Sequence, residues 1–144
     1  MITVADIMTA DPIVVNPDTQ LDEAIGVMKT KHCRHIPVTE ADKLVGIITD
    51  RDIRLAMNSP MVLRERADDD ALLKNVTVGV TMTPNPMTVK PDDPATKAAK
   101  LMRAYKFGAL PVVDEGRLVG IVTDSDVLDS YITMLESLAR TTRP

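Results

Sequence analysis

The sequence has 144 residues, a formal net charge of -4 at pH 7 and only 2% aromatic residues. A chain of this length can bury roughly two-thirds of its unfolded surface, so one small domain or two very small ones can be stable on an aliphatic core without a metal or a disulfide. The acidic balance opposes a broad nucleic-acid surface, which needs clustered cations, and no apolar run approaches the ~20 residues that cross a bilayer.

Cysteine usage and the first residues predict the compartment. The only cysteine is Cys33, which cannot form an internal disulfide, and the first residues lack the basic flank, apolar run and cleavage site of a signal peptide. We therefore expect a cytoplasmic protein that does not contact membranes.

The first predicted elements are a short strand and a helix. Residues 13–15 are β-branched and are followed by an Asn-Pro pair, which is typical of a strand that ends in a turn. Apolar side chains then recur at helical spacing at Leu21, Ala24 and Met28. The predicted order is strand, then helix.

A hairpin and a second helix are predicted next. Two apolar runs, 36–38 and 44–48, flank the polar turn 40–43 and predict two antiparallel strands. Thr49 and Asp50 then supply the side-chain oxygens that are typical of a helix N-cap. The first half of the chain is therefore predicted to be a β-α-β-β-α unit.

A connecting helix is predicted between the two halves of the chain. Ser59 is typical of an N-cap and Pro60 of a first helical position. We expect this helix to end near the exposed acidic residues 68–70.

The second half of the chain repeats the first without a gap, at a constant offset of 74 residues that places Met8 on Met82. Repeated units of this kind stack on each other to bury their apolar faces. The matched segments are Met8-Thr9 with Met82-Thr83, Pro37-Val38 with Pro111-Val112, Leu44-Val45-Gly46-Ile47 with Leu118-Val119-Gly120-Ile121, and Thr49-Asp50 with Thr123-Asp124. The predicted division is repeat one at 1–58, a linker helix and loop at 59–76, and repeat two with a C-terminal helix at 77–144.

The C-terminal helix is predicted to be amphipathic, because apolar residues recur at helical spacing after Asp124. These residues are Val127, Leu128, Tyr131, Ile132, Leu135 and Leu138. Such a stripe needs a partner, which is either the other repeat or another subunit.

Residues 46–52 and their copy 120–126 are the most informative segments for function. Each places a hydroxyl and a carboxylate in the first turn of a helix, as Thr49 and Asp52 do in the first copy. N–H groups at a helix start can cradle a phosphate, and a carboxylate can accept two hydrogen bonds from a ribose diol. The alternative is that Thr-x-x-Asp is only a capping device, but its duplication at matched positions favours a binding role.

The ordered set of motifs, present twice, resembles the CBS domain pair, which is also called a Bateman module. The motifs are Met-Thr-x-x-Pro, Pro-Val, Leu-Val-Gly-Ile and Thr-Asp-x-Asp, and together they cover the chain except for the linker and the C-terminal tail. The resemblance implies an α/β (α+β) fold of two tandem β-α-β-β-α CBS repeats packed about a pseudo-two-fold axis. It also implies two clefts that bind AMP, ADP, ATP or a related adenosyl ligand such as S-adenosylmethionine.

The resemblance further implies which residues line each cleft, because the clefts of this family are shared between the repeats. The Thr and Asp of one repeat hold ribose and phosphate, while the first strand and the pre-Pro-Val segment of the other repeat cover the base. One site would contain Thr123, Ser125, Asp126, Ile13, Val14, Arg34, His35, Ile36 and Pro37. The second site would contain Thr49, Arg51, Asp52, Met87, Thr88, Ala109, Leu110 and Pro111.

The two predicted sites differ in charge. Arg34 and His35 offer cations to a phosphate, whereas the residues at the matching positions of the second repeat are Gly108 and Ala109. We therefore expect tighter binding at the site that contains Asp126, with partial compensation by an arginine, Arg51, in the other site.

A metal site is not expected. His32, Cys33 and His35 are ligand types that suit zinc, but three ligands within four residues, with no other Cys or His in the sequence, make a poor tetrahedral cage. Redox sensing by Cys33 would require an exposed thiol with a lowered pKa. Met28 and Met102 fall on apolar helix positions and are expected in the core.

Catalysis is not expected either. The sequence has no evident nucleophile with a base, no metal set and no Walker-type phosphate loop. We expect a non-catalytic regulatory module that requires no cofactor and binds an adenine nucleotide as its regulatory ligand. The alternative is a purely structural dimerisation or interaction module with empty sites, and a nucleic-acid binder is disfavoured by charge. The resemblance implies a homodimer that acts on a separate effector protein.

Overall fold

The computed structural model describes residues 1–57 and 73–142. Residues 73–75 are helical, and the helices with defined bounds are α1 (Val4–Ile7), α2 (Leu21–Lys31), α3 (Asp50–Met57), α4 (Val78–Thr81), α5 (Ala95–Tyr105) and α6 (Asp124–Thr142). The strands are β1 (Thr9–Ala10), β2 (His35–Glu40), β3 (Lys43–Thr49), β4 (Thr83–Pro84), β5 (Ala109–Asp114) and β6 (Arg117–Thr123). The predicted linker helix at Ser59-Pro60 and the acidic run 68–70 lie outside the described residues.

The chain divides into two compact units that differ from the predicted repeats. The first unit combines Met1–Asp11 with Met87–Pro144, and the second unit is Pro12–Pro86. The first unit contains the three-stranded sheet β1-β6-β5, and the second contains the sheet β2-β3-β4. The short arm that begins each sequence repeat therefore packs on the hairpin of the other repeat. We call residues 1–11 and 76–86 the arms.

Each sheet is antiparallel, and the edge strand that an arm contributes, β1 or β4, is only two residues long. In the first unit Thr9 pairs with Ile121, and in the second Thr83 pairs with Ile47. The edge strands end because the next residues, Asp11 and Asn85, adopt positive φ angles of 48° and 46°. Asp and Asn tolerate this left-handed region better than most residues do, and the proline that follows each of them lacks the N–H to extend the ladder.

The two hairpins, the helices α2, α3 and α6 and the aliphatic core are as the sequence predicts, whereas the short helices α1 and α4 were not predicted. Ile36 and Val38 of the β2-β3 hairpin are fully buried against Leu21 of α2, and Val78 of the second arm joins this cluster. The first unit has an equivalent cluster, in which Val4 of the first arm packs with buried residues of α5, β5 and β6. Met28 and Met102, at 9% and 8% exposure, are in the cores as expected.

The predicted strand at 13–15 is wrong. Only Val15 forms a bridge, parallel to Val38, while Ile13 and Val14 are 41% and 43% exposed. Prolines at positions 12 and 17 bracket this segment and leave little chain that can join a ladder. The second repeat has the same single bridge, between Val89 and Val112.

The C-terminal helix is confirmed and its apolar stripe is exposed. Leu128, Tyr131, Ile132, Leu135 and Leu138 are each between 46% and 59% exposed. Among the described residues, no helix is both long enough and apolar enough to cross a bilayer.

Candidate functional site

Each strand-to-helix junction forms a reciprocal capping box. In the second unit the Thr49 N–H donates to Asp52 Oδ2 at 3.1 Å, and the Asp52 N–H donates to Thr49 Oγ1 at 3.0 Å. In the first unit the Thr123 N–H donates to Asp126 Oδ2 at 2.9 Å, and the Asp126 N–H donates to Thr123 Oγ1 at 3.2 Å. The capping role considered for Thr-x-x-Asp is therefore real. It uses one carboxylate oxygen and the threonine hydroxyl at each junction.

A second threonine contacts each of these carboxylates. Thr83 of β4 donates its hydroxyl to Asp52 Oδ1 at 3.1 Å. Thr9 of β1 shares its hydroxyl between Asp126 Oδ1 and Oδ2, at 3.2 and 3.3 Å. Sequence reasoning missed these two residues as members of the site. The available signal was the Met-Thr pair that recurs at the repeat offset.

A glycine in each unit lets the arm approach the strand that leads to the junction. A Cβ at Gly120 would lie 2.5 Å from Met8 Sδ and 3.0 Å from the Thr9 carbonyl oxygen. Gly46 is crowded in the same way by Met82 and Thr83. The Met-Thr, Val-Gly and Thr-x-x-Asp motifs therefore form one cluster in each unit.

The predicted phosphate cations lie beside a junction of the second unit. His35 pairs with Thr49 across the β2-β3 ladder, which places their side chains on the same face of the sheet. The Arg34 carbonyl oxygen accepts the Asp50 N–H at 3.1 Å. The Arg34 side chain is exposed and that of His35 is half-buried. The equivalent position of the first unit has the neutral Gly108, whose carbonyl accepts the Asp124 N–H.

The remaining predicted site residues divide into core and surface. Four lie in the cores of their own units, with side chains that are at most 7% exposed: Ile36, Pro37, Ala109 and Leu110. Pro111 is also fully buried, and Met87 packs against the core of the first unit. The residues with exposed side chains are Ile13, Val14, Arg51, Thr88 and Ser125. A ligand can reach the second group directly, but it can meet the buried residues only through their backbone or by local movement.

Asp126 also lines a groove of the first unit between α1 and α6. The groove has a volume of about 600 Å³, and Asp6 and Asp129 line it together with Asp126. No lysine or arginine of the described residues lines it. Three carboxylates and no lysine or arginine among its described lining residues make this groove unfavourable for a phosphate, although the Thr3 backbone hydrogen bond and, to a smaller extent, the N-terminal ammonium hold the pKa of Asp6 below its ordinary value.

The cysteine and histidine cluster has neither metal-site geometry nor a reactive thiol. Within residues 1–57 and 73–142, no group of three or more His, Cys, Asp or Glu side chains is arranged to hold a metal ion. Burial raises the pKa of the Cys33 thiol above its ordinary value, and a backbone hydrogen bond opposes this only in part. This direction is opposite to the lowering of the thiol pKa that favours redox sensing.

The chain belongs to the CBS domain family, because the family profile matches residues 4–59 and 74–132. It is 41% identical over 137 residues to a CBS domain-containing protein of Dictyostelium discoideum, with 94% of both chains covered. Longer enzymes also match, and the chain spans 23% of a homoserine O-acetyltransferase and 22% of an inosine-5'-monophosphate dehydrogenase.

Solved CBS-pair structures share the fold, which confirms the predicted mixed helix and sheet architecture of two tandem repeats. The structure of CBSX2 of Arabidopsis thaliana in complex with AMP has a TM-score of 0.76 and 32% identity, and covers 93% of this chain and 98% of that one. The CBS domain pair of protein MJ0100, in complex with 5'-methylthioadenosine and S-adenosyl-L-methionine, has a TM-score of 0.77 and 30% identity. Coverage is 92% of this chain and 97% of that chain.

Proposed function

We propose that the chain is a non-catalytic regulatory module whose ligand is an adenosyl compound, either AMP, ADP, ATP or S-adenosylmethionine. The observation that carries the proposal is the pair of hydroxyl-carboxylate junctions at Thr49-Asp52 and Thr123-Asp126, one in each unit. The adenosyl ligands of two CBS-pair structures of similar fold support the same ligand class.

The carboxylates are the proposed ribose acceptors. Asp52 and Asp126 are half-buried rather than fully solvated, which strengthens a hydrogen bond to an ionised acceptor. Each capping box fixes the side chain in one rotamer, so little conformational entropy is lost when a sugar binds. A ribose diol supplies two O–H donors, which matches an acceptor-only carboxylate.

The exposed groups that follow each threonine are the proposed phosphate contacts. Ser125 offers a hydroxyl in the first unit, and Arg51 offers a guanidinium in the second. Arg34 and His35 are also proposed as cations that contact the phosphate of the ligand. Charge-assisted contacts of this kind are the strong ones in phosphate recognition.

Isothermal titration with AMP, ATP and S-adenosylmethionine tests the proposal. Replacing Asp126 by Asn keeps an oxygen that can cap the helix but removes the charge. We expect Asp126→Asn to weaken binding by roughly 1.5–3 kcal/mol, the worth of a hydrogen bond to a charged group, and Asp52→Asn to weaken it less.

The matched control for these titrations is Asp114→Asn, in an exposed carboxylate at the end of β5, which should leave the heat of binding unchanged. The reverse ranking of the two site variants would mean that Arg34 and His35 act on the junction of their own unit, where His35 faces Thr49. The absence of heat for all three ligands would contradict the proposal.

A purely structural dimerisation module is the second candidate. It is favoured by the threonine hydroxyls that already bond both carboxylates and by the exposed apolar stripe of α6, which fits a protein partner. Under either function we propose a homodimer in the cytoplasm, and under the regulatory function a separate effector protein that responds to the ligand.

A further inference from the structure

We propose that the hydroxyls of Thr9 and Thr83 are internal competitors of the ligand, because they occupy the carboxylate positions that a ribose diol would use. This inference rests on the proposed function and names what regulates the same two carboxylates. Ligand binding would then require each threonine to release its aspartate. The arm that carries the threonine would respond directly to occupancy of the site.

Each of the two carboxylates already accepts hydrogen bonds from two kinds of donor, a backbone N–H and a threonine hydroxyl. At Asp52, the Thr49 N–H takes Oδ2 at 3.1 Å, and the Thr83 hydroxyl takes Oδ1 at 3.1 Å. At Asp126, the Thr123 N–H takes Oδ2 at 2.9 Å, while the Thr9 hydroxyl is divided between both oxygens. The capping bond holds Oδ2 of each carboxylate, and the arm threonine covers Oδ1 at Asp52 and both oxygens at Asp126.

A ribose diol and the arm threonine therefore need the same carboxylate oxygens. Two neighbouring sugar hydroxyls reach a carboxylate best when they donate to both oxygens, as other bidentate donors do. A carboxylate has about four lone-pair directions in total. The capping bond and the shared hydroxyl of Thr9 already account for up to three of them at Asp126.

The threonine bonds are long enough to be exchanged. Hydroxyl donors to ionised oxygens typically lie at about 2.5–2.7 Å, whereas the Thr83 and Thr9 contacts measure 3.1 to 3.3 Å. A sugar hydroxyl at the shorter distance would form the stronger bond. The threonine can then leave by rotation about its Cα–Cβ bond.

The position of each threonine is set by the backbone rather than by the hydroxyl. Thr9 pairs with Ile121 and Thr83 with Ile47 in the edge ladders, and both side chains are exposed. Replacing either threonine by valine keeps the β-branch that suits a strand and puts a methyl group, which cannot donate a hydrogen bond, in place of the hydroxyl. The fold should therefore tolerate both replacements.

The test is titration of AMP into the Thr9→Val, Thr83→Val and doubly substituted chains. We expect the substitution at the occupied site to tighten AMP binding by about 3-fold to 10-fold, because a long charge-assisted bond no longer competes. Thr141→Val is the matched control, since the Thr141 hydroxyl donates to a backbone carbonyl of α6 at 2.9 Å, and its AMP affinity should equal that of the unmodified chain.

A second ligand separates competition from a general change in the site. The 2',3'-dideoxy form of AMP lacks both sugar hydroxyls, so its affinity should not rise in the valine variants. If AMP binds the unmodified chain but binds the valine variants equally or more weakly, the competition is contradicted while the proposed function stands. If neither the unmodified nor the doubly substituted chain binds AMP, ATP or S-adenosylmethionine, the proposed function fails and the competition fails with it.

Discussion

Gly46 and Gly120 allow the Met-Thr segment of an arm to pack closely on the adjacent strand. Replacing each glycine by alanine tests that packing. We expect Gly120→Ala and Gly46→Ala each to lower the free energy of unfolding by about 1–3 kcal/mol, as overpacking of a tight contact does. The crowding atoms are the sulfurs of Met8 and Met82 and the backbone oxygens next to them. Urea unfolding of the purified variants measures the loss.

Gly26 provides the matched control for this comparison. It lies in α2, and a Cβ there would meet no atom within 4 Å. Gly26→Ala should therefore raise the free energy of unfolding by up to about 1 kcal/mol through helix propensity alone. Equal stability of Gly120→Ala and the unmodified chain would argue against the docking of the first arm on β6.

At the scale of single residues, the sequence predicts the capping box but not the arm threonine that contacts its carboxylate. Thr49 and Asp52 are three residues apart, so local spacing is enough to bring them together. Thr9 and Asp126 are 117 residues apart, and no periodicity or propensity connects residues across such a distance. The Met-Thr pair marks the threonine as part of the repeat without indicating that it contacts a carboxylate.

Among the secondary-structure elements, those with a strong local period could be predicted, and the irregular ones could not. The α2 helix and the β2-β3 hairpin follow directly from apolar spacing and a polar turn. The segment at 13–15 has strand-like residues, but its flanking prolines leave only the bridge at Val15. Backbone hydrogen bonding therefore overrides residue preference at this position.

The exchange of the arms could not be predicted because the two repeats are alike. The repeat offset shows that each arm suits a hairpin of this kind, but both hairpins satisfy the same pattern. The structure places Val4 in the core of the first unit and Val78 in the core of the second, both fully buried. Each core is therefore completed by residues from the other sequence repeat.

The exchange of the arms predicts which unit is destabilised by a cavity in its core. Val4→Ala should destabilise the unit that contains β5 and β6 by about 2 kcal/mol, the combined cost of lost burial and a small cavity. Hydrogen exchange should then quicken at 109–123 and change little at 35–49, although Val4 is nearer in sequence to the second segment.

Val78→Ala is the mirror-image control for the exchange experiment. It should quicken exchange at 35–49 and leave 109–123 nearly unchanged, because Val78 packs with Ile36 and Ile48. Faster exchange at 35–49 in the Val4→Ala chain would instead place the first arm on the hairpin of its own repeat.

At the scale of the whole molecule, the duplication makes two similar junctions that differ in their surroundings. The second unit has Arg34, His35 and Arg51 near its junction, whereas the first has Ser125 and an acidic groove. The helices that follow the junctions differ as well, with eight residues in α3 and 19 in α6. Two sites of unequal affinity are the expected consequence, and the ranking of the Asp126→Asn and Asp52→Asn chains shows which junction the cations serve.

A crystal structure of the chain with AMP tests the central claim, that the junction carboxylates accept the ribose, most directly. We predict that a sugar hydroxyl lies within about 2.5–2.7 Å of a carboxylate oxygen of Asp126 or Asp52, the distance typical of a charge-assisted O–H···O bond. The threonine of the adjacent arm should be turned away from that carboxylate. A bound AMP whose sugar contacts neither aspartate would contradict the account.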